Sequence, residues 1–223
     1  MSQPASVVVF DVNETLSDMA PMAERFSDIG APDHFAEVWF ANVLRDGFAL
    51  TAAGGQERFS VIGEHHLRIL FGSLDLDLDP DAAVEHVMAG FMDLPVHPDV
   101  PEGVRALRAS GRRLVTLSNG ATGVADALLA RAGLRAEFAA LLSVEDADAW
   151  KPAHSPYEYA AQVCGTDLRE MLMVAAHPWD IDGATRAGMQ TAWIDRQGVA
   201  YPSYAMAPTH IVRSLGELAD SLS

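Results

Sequence analysis

Unbroken apolar runs, rather than alternating ones, punctuate the chain. Val7–Phe10 is β-branched and aromatic throughout and ends at Asp11, which predicts a strand buried on both faces. Residues 114–117 and 171–174 repeat the pattern far downstream, and 141–144, 191–194 and 210–212 are shorter candidates. Helical patterns fill the intervals. Residues 101–110 stop at Gly111 and 122–132 stop at Gly133, each glycine standing at the expected helix C-terminus. Strands alternating with helices of this length predict a parallel sheet with right-handed crossovers, whose sites lie beyond the carboxyl ends of the strands.

Residues 17–98 follow a different rhythm. Phe35, Val38, Trp39, Asn42 and Val43 are helically spaced, as are Val84, Val87, Met88, Phe91 and Met92, and no convincing strand intervenes. The expected architecture is therefore α/β: a Rossmann-like parallel-sheet core domain of residues 1–16 plus 99–223, with a helical cap domain, 17–98, inserted after the first strand. Residues 74–81 carry Asp at alternate positions but lack the Gly and terminal Glu of an EF-hand, so they read as an acidic loop and helix N-cap. Residues 201–208 read as a loop and 214–222 as a final surface helix.

Composition narrows the function. The 223 residues are 49% hydrophobic, enough for a sizeable core, and the formal net charge is -16. No basic stripe exists to replace phosphate counterions, which argues against nucleic acid and against anionic membrane surfaces. An anionic substrate must then be attracted by local cations. The lone cysteine, Cys164, rules out an intrachain disulfide and any multi-cysteine metal site; in a helical run with no well-spaced histidine, it reads as a buried apolar residue. With no basic region leading into an apolar run and no stretch near membrane-span length, the expected location is cytoplasmic.

Four clusters carry candidate chemistry. Asp11-Val12-Asn13-Glu14-Thr15-Leu16 follows the first strand, where backbone donors in the turn are able to hold a carboxylate; the alternative is an Asx-turn. Ser118-Asn119-Gly120 closes the 114–117 strand as a possible anion cradle, or as a helix N-cap. Lys151-Pro152, with Tyr157 following, offers a cation beside an acidic cluster, although a lone lysine is usually a solvated surface group. Ala175-Ala176-His177-Pro178-Trp179-Asp180 adds a second carboxylate and an imidazole; alone, Asp180 reads as an N-cap. All four belong on one rim of the predicted sheet, with Lys151 as the cation that keeps the acids ionised.

Together these motifs resemble the haloacid dehalogenase superfamily, specifically its type II L-2-haloacid dehalogenase branch, over almost the whole chain. The resemblance rests on Asp11 with Thr15, the helical cap, Leu117-Ser118-Asn119-Gly120, Lys151-Pro152 with Tyr157, and Trp179-Asp180 before Gly183-Ala184. It implies that Asp11 attacks C2 of a 2-haloalkanoate and that water then cleaves the resulting aspartyl ester. Lys151 is the implied charge partner, Ser118 the contact for the substrate carboxylate, and Asn119 and Trp179 the walls of a halide pocket. Asp180 and Lys151 are implied to position or activate water, with Thr15 and Tyr157 in support. The family's phosphatases look less similar. Their acid two residues after the nucleophile is here Asn13, and their magnesium-binding Gly-Asp pair is Ala175-Ala176.

This chain also departs from the dehalogenases. Their cap arginine, which follows a Trp, is here Phe40 after Trp39, and Arg45 lies five residues on. Ala175 and His177 replace their Ser and Asn, and Asn13 replaces their usual aromatic residue. We therefore expect His177 to act as general base on the ester-cleaving water, against the alternative of a structural histidine. The reading is a hydrolase of small anionic 2-halo acids that uses neither metal nor cofactor, and a homodimer is implied by resemblance alone. The alternatives are a magnesium-dependent phosphatase, or a catalytically weak family member that binds a small acid or a protein.

Overall fold

A computed structural model of the protein describes residues 4–72 and 74–222. The chain forms two compact units, one up to Ser17 and from Pro95 onward, the other Asp18–Leu94.

The first unit is built on a six-stranded sheet. Its strands are β1 (Val7–Phe10), β2 (Arg113–Ser118), β3 (Phe138–Ser143), β4 (Met171–Ala175), β5 (Gln190–Ile194) and β6 (His210–Val212). Their order is β3-β2-β1-β4-β5-β6 and every pairing is parallel. Phe10 lies opposite Thr116 of β2 and Val174 of β4, so β1 ends two residues short of β2 and one short of β4. The order reverses between β1 and β4, which opens a crevice beyond their carboxyl ends.

Helices cover both faces, which is why β1 is a continuous apolar run. Val8 and Phe10 face α5 (Val100–Ala109), α6 (Thr122–Arg131) and α9 (Leu215–Ser221). Val7 and Val9 face α7 (His154–Cys164) and α8 (Pro178–Ala187), where Cys164 is buried as expected. The terminal helix departs from expectation. Leu215, Leu218 and Ala219 of α9 are buried, so it contributes a face to the core rather than lying on the surface.

The second unit holds α1 (Met22–Ser27), α2 (Phe35–Ala52), α3 (Phe59–Phe71) and α4 (Pro80–Met92), with no strand among its described residues. Its core is aromatic. Trp39 packs edge-on against Phe59 and Phe91, those two rings stack at 5.1 Å, and the Trp39 indole donates to the Gly63 carbonyl at 2.9 Å. Phe40 is buried and tilted against Phe59 at 6.2 Å. The buried face of α2 runs through Ala36, Trp39, Phe40, Val43 and Gly47, whereas Val38 is exposed. Met92 is likewise exposed at the end of α4. Asp79 caps α4 by accepting from the Asp81 and Ala82 amides, as the acidic-loop reading requires. Arg45 is occupied with Asp46 and Asn42 on the surface of α2.

Candidate active site

Asp11 leaves β1 at the crevice and is only 3% exposed. An isolated carboxylate is costly there, and this one is fully partnered. Lys151 donates to Oδ1 at 3.0 Å, and the Thr15 hydroxyl donates to Oδ2 at 2.8 Å. His177 Nδ1 reaches the same Oδ2 at 3.1 Å. Thr15 is fixed in turn by the Ala176 amide, which donates to its hydroxyl oxygen at 2.9 Å. That single contact ties the loop after β1 to the loop after β4.

Lys151 has no exposed surface and also donates to Asp180 Oδ2 at 2.6 Å. The sequence argument needed a cation between two acids, and the ammonium stands there. Asn119 secures it from the backbone side, its amide group accepting from the Lys151 N–H at 3.0 Å and donating to the Lys151 carbonyl at 3.2 Å. Asp180 is not a helix N-cap. It lies in the first turn of α8, behind His177 at the cap position, and takes the Tyr157 hydroxyl at 2.7 Å on Oδ1. Gly183 makes this approach possible, because a Cβ there would stand 2.6 Å from Pro152 and 2.7 Å from the Tyr157 hydroxyl.

Ser118, at the end of β2, accepts from the Gly120 amide at 2.9 Å, and Ser143 braces the same turn through the Gly120 carbonyl. Asn13 is buried on the side of that turn. Trp179 stacks on His177 at 4.9 Å and lies 5.8 Å from the Lys151 ammonium. Of the candidate site residues, Phe40 alone belongs to the other unit, where it is part of the aromatic core.

The two carboxylates are pushed in opposite directions. Burial would raise both. For Asp11, the Lys151 charge and then the His177 bond overcome burial and hold the acid well below the usual carboxylate range. For Asp180, burial prevails over Lys151, the charge of Asp11 adds to it, and its pKa is raised. Lys151 is raised despite its burial because two carboxylates face it. Burial, reinforced by Asp180, pushes the Tyr157 phenol well up, so it remains a donor.

His177 lies between two carboxylates. Nε2 lies 2.7 Å from Glu14 Oε2, so both ring nitrogens face carboxylates. These bonds outweigh burial and raise its pKa to about 9. Glu14 is the residue that sequence reasoning passed over, although it lies within the quoted Asp11 hexapeptide. It adopts φ 59, a left-handed conformation uncommon outside glycine. His97 Nε2 donates to its carbonyl at 3.1 Å.

Known proteins resemble this chain in sequence and fold. The haloacid dehalogenase-like hydrolase profile matches residues 5–188. The chain belongs to that family. Within it, the neighbours mark the L-2-haloacid dehalogenase branch. An (S)-2-haloacid dehalogenase of Pseudomonas sp. strain YL is 30% identical over 210 residues, covering 93% of this chain and 90% of the relative. One from Pseudomonas putida is 28% identical over 217 residues, 96% and 95% of the two chains. A dehalogenase crystal structure with an intermediate complex superposes with a TM-score of 0.90 at 25% identity, covering 99% of this chain and 98% of that one. The Xanthobacter autotrophicus L-2-haloacid dehalogenase with chloropropionic acid covalently bound gives 0.86 at 25% identity and 97% coverage of both.

Proposed function

We propose that this hydrolase cleaves the carbon–halogen bond of small 2-halo carboxylic acids through an ester on Asp11. The observation that carries the reading is the divided pair of carboxylates. Asp11 is held ionised as a nucleophile, while Asp180 across the same ammonium has the higher proton affinity that suits a base. Related enzymes named for this reaction support it.

In the first step Asp11 Oδ1 forms a bond to C2 as the C2–halogen bond breaks, and the halide leaves with the bonding pair. Ser118 and its turn receive the substrate carboxylate, and the Trp179 face borders the path of the halide. In the second step water attacks Cγ of the ester and gives its proton to Asp180. The Cγ–Oδ1 bond then breaks, the departing alkoxide takes that proton from Asp180, and the 2-hydroxy acid leaves as the regenerated Asp11 carboxyl ionises. Asn119 and Tyr157 hold Lys151 and Asp180 in place, and the scheme draws on no cofactor.

The test pairs halide release from each enantiomer of 2-chloropropionate, with chelator present, against aryl phosphate hydrolysis with and without magnesium. Chelator-resistant release from one enantiomer is expected, falling by roughly three orders of magnitude or more in Asp11→Asn. Magnesium-dependent phosphate release without halide release would overturn the reading in favour of a phosphatase.

A further inference from the structure

An ionised carboxylate only accepts hydrogen bonds, and a neutral imidazole carries one N–H. His177 nevertheless lies within hydrogen-bond distance of a carboxylate at each ring nitrogen, Asp11 Oδ2 at 3.1 Å and Glu14 Oε2 at 2.7 Å. Both bonds form together only on an imidazolium. The ring is held in plane by Trp179, stacked 27° from parallel, and its side chain is 12% exposed.

Asp11 divides its two oxygens between different partners. Oδ1 has Lys151, whereas Oδ2 has both the Thr15 hydroxyl and His177. If Oδ1 attacks, Oδ2 becomes the ester carbonyl oxygen, already facing two donors. We propose that His177, as an imidazolium, joins Thr15 in stabilising the oxyanion on Oδ2 during ester hydrolysis, and that Glu14 is the positioning residue that keeps the ring charged. The inference rests on the ester mechanism proposed above.

Glu14 is needed because the ester removes a charge. Once Asp11 is alkylated, one of the two carboxylates that stabilised the imidazolium is neutral, and Glu14 is the one that remains. Water then adds to Cγ, the π pair of the carbonyl moves onto Oδ2, and the charge develops between Thr15 Oγ1 and His177 Nδ1. Collapse returns that pair, breaks Cγ–Oδ1 and expels the 2-hydroxy acid, its alkoxide oxygen taking the water proton held by Asp180. His177 gives up no proton in this cycle. Donors fixed on a developing oxyanion act mainly on the step in which it forms, so hydrolysis should depend on His177 more than alkylation does.

The charged groups around the ring are Asp11 and Glu14 from the loop after β1. Lys151 lies across the Asp11 carboxylate from the ring, on Oδ1, with Asp180 on the far side of that ammonium. In the folded wild type, burial opposes the imidazolium and the two carboxylates prevail, so that it persists to about pH 9.

Two measurements on the full chain decide the matter. In the substrate-free protein, ¹⁵N NMR of the imidazole is expected to show His177 doubly protonated at pH 7, with its titration moved down by about one unit or more in Glu14→Gln and restored in Glu14→Asp. A His177 that is neutral at pH 7 overturns the proposal without reference to any substrate. In single turnovers with (S)-2-chloropropionate, His177→Gln should slow clearance of the ester roughly tenfold or more beyond any slowing of halide release, so that the ester accumulates. The ester is followed as a mass increase on the Asp11 peptide. In Glu14→Gln the alkaline fall in ester hydrolysis should shift to lower pH, a change that a merely structural role would not produce. An ester that forms and clears equally fast in His177→Gln overturns the oxyanion role alone. A wild-type enzyme that forms no ester overturns the underlying reading and this role with it. Circular dichroism of each variant confirms that the fold is intact.

Discussion

A buried ammonium costs several kcal/mol in desolvation unless good geometry returns it, and Lys151 has that geometry in Asp11 and Asp180. The same reasoning makes His177 a reporter of pH. Its pKa rises from 6.5 to about 9 on folding, after burial has taken its share. A group raised in this way stabilises the fold fully below about pH 6.5, and the contribution is lost as pH climbs through about 9. Urea unfolding of wild type and His177→Asn across pH 5.5–9.5 should therefore show a gap that is constant at the acid end. That gap should narrow, by on the order of 3 kcal/mol, toward the alkaline end. A gap unchanged across this window would mean that the ring is not charged through its bonds to Asp11 and Glu14.

Among the elements, α8 bears most directly on the site, since its first turn carries Asp180 and its second depends on Gly183. Gly183→Ala would place a methyl 2.6 Å from the Pro152 side chain and 2.7 Å from the Tyr157 hydroxyl, pushing α8 away from Lys151. Overpacking of this kind costs about 1–3 kcal/mol. Chemical denaturation should show that loss, with halide release falling further than stability alone explains because Asp180 moves with the helix. The sequence made this level legible in part. Continuous apolar runs revealed strands buried on both faces, and the strand tips located Asp11, Ser118 and Asp180, because in a parallel sheet both follow from local pattern. Helical spacing was less informative for α2, where period 3.6 leaves the choice of face to tertiary packing; Ala36 went in and Val38 stayed out. Asn119 clamping the backbone of Lys151 spans 32 positions, and no local signal reports such a bond. Glu14 was hidden for a different reason. A glutamate in a loop reads as solvated until a left-handed turn directs it at a histidine 163 residues away.

On the scale of the whole molecule, charge governs how substrate arrives. The formal net charge of -16 repels an anionic haloacid at long range. The bonded cluster does not reverse this. Asp11, Glu14 and Asp180 supply three negative charges against the two positive charges of Lys151 and His177, which leaves one negative charge in excess. In the proposed mechanism, binding of the substrate carboxylate falls to uncharged donors at the Ser118 turn, and the approach is opposed by the field. Screening by salt should help, because at 0.15 M the Debye length shrinks to about 8 Å, against roughly 30 Å at 0.01 M. We expect kcat/KM for 2-chloropropionate to rise as sodium sulfate is raised from low ionic strength to about 0.15 M and then level off, with kcat changing little. Sulfate is preferred to chloride as the screening anion because it does not compete as a product halide. A steady fall in kcat/KM over the same range would instead indicate steering by a cation outside this cluster.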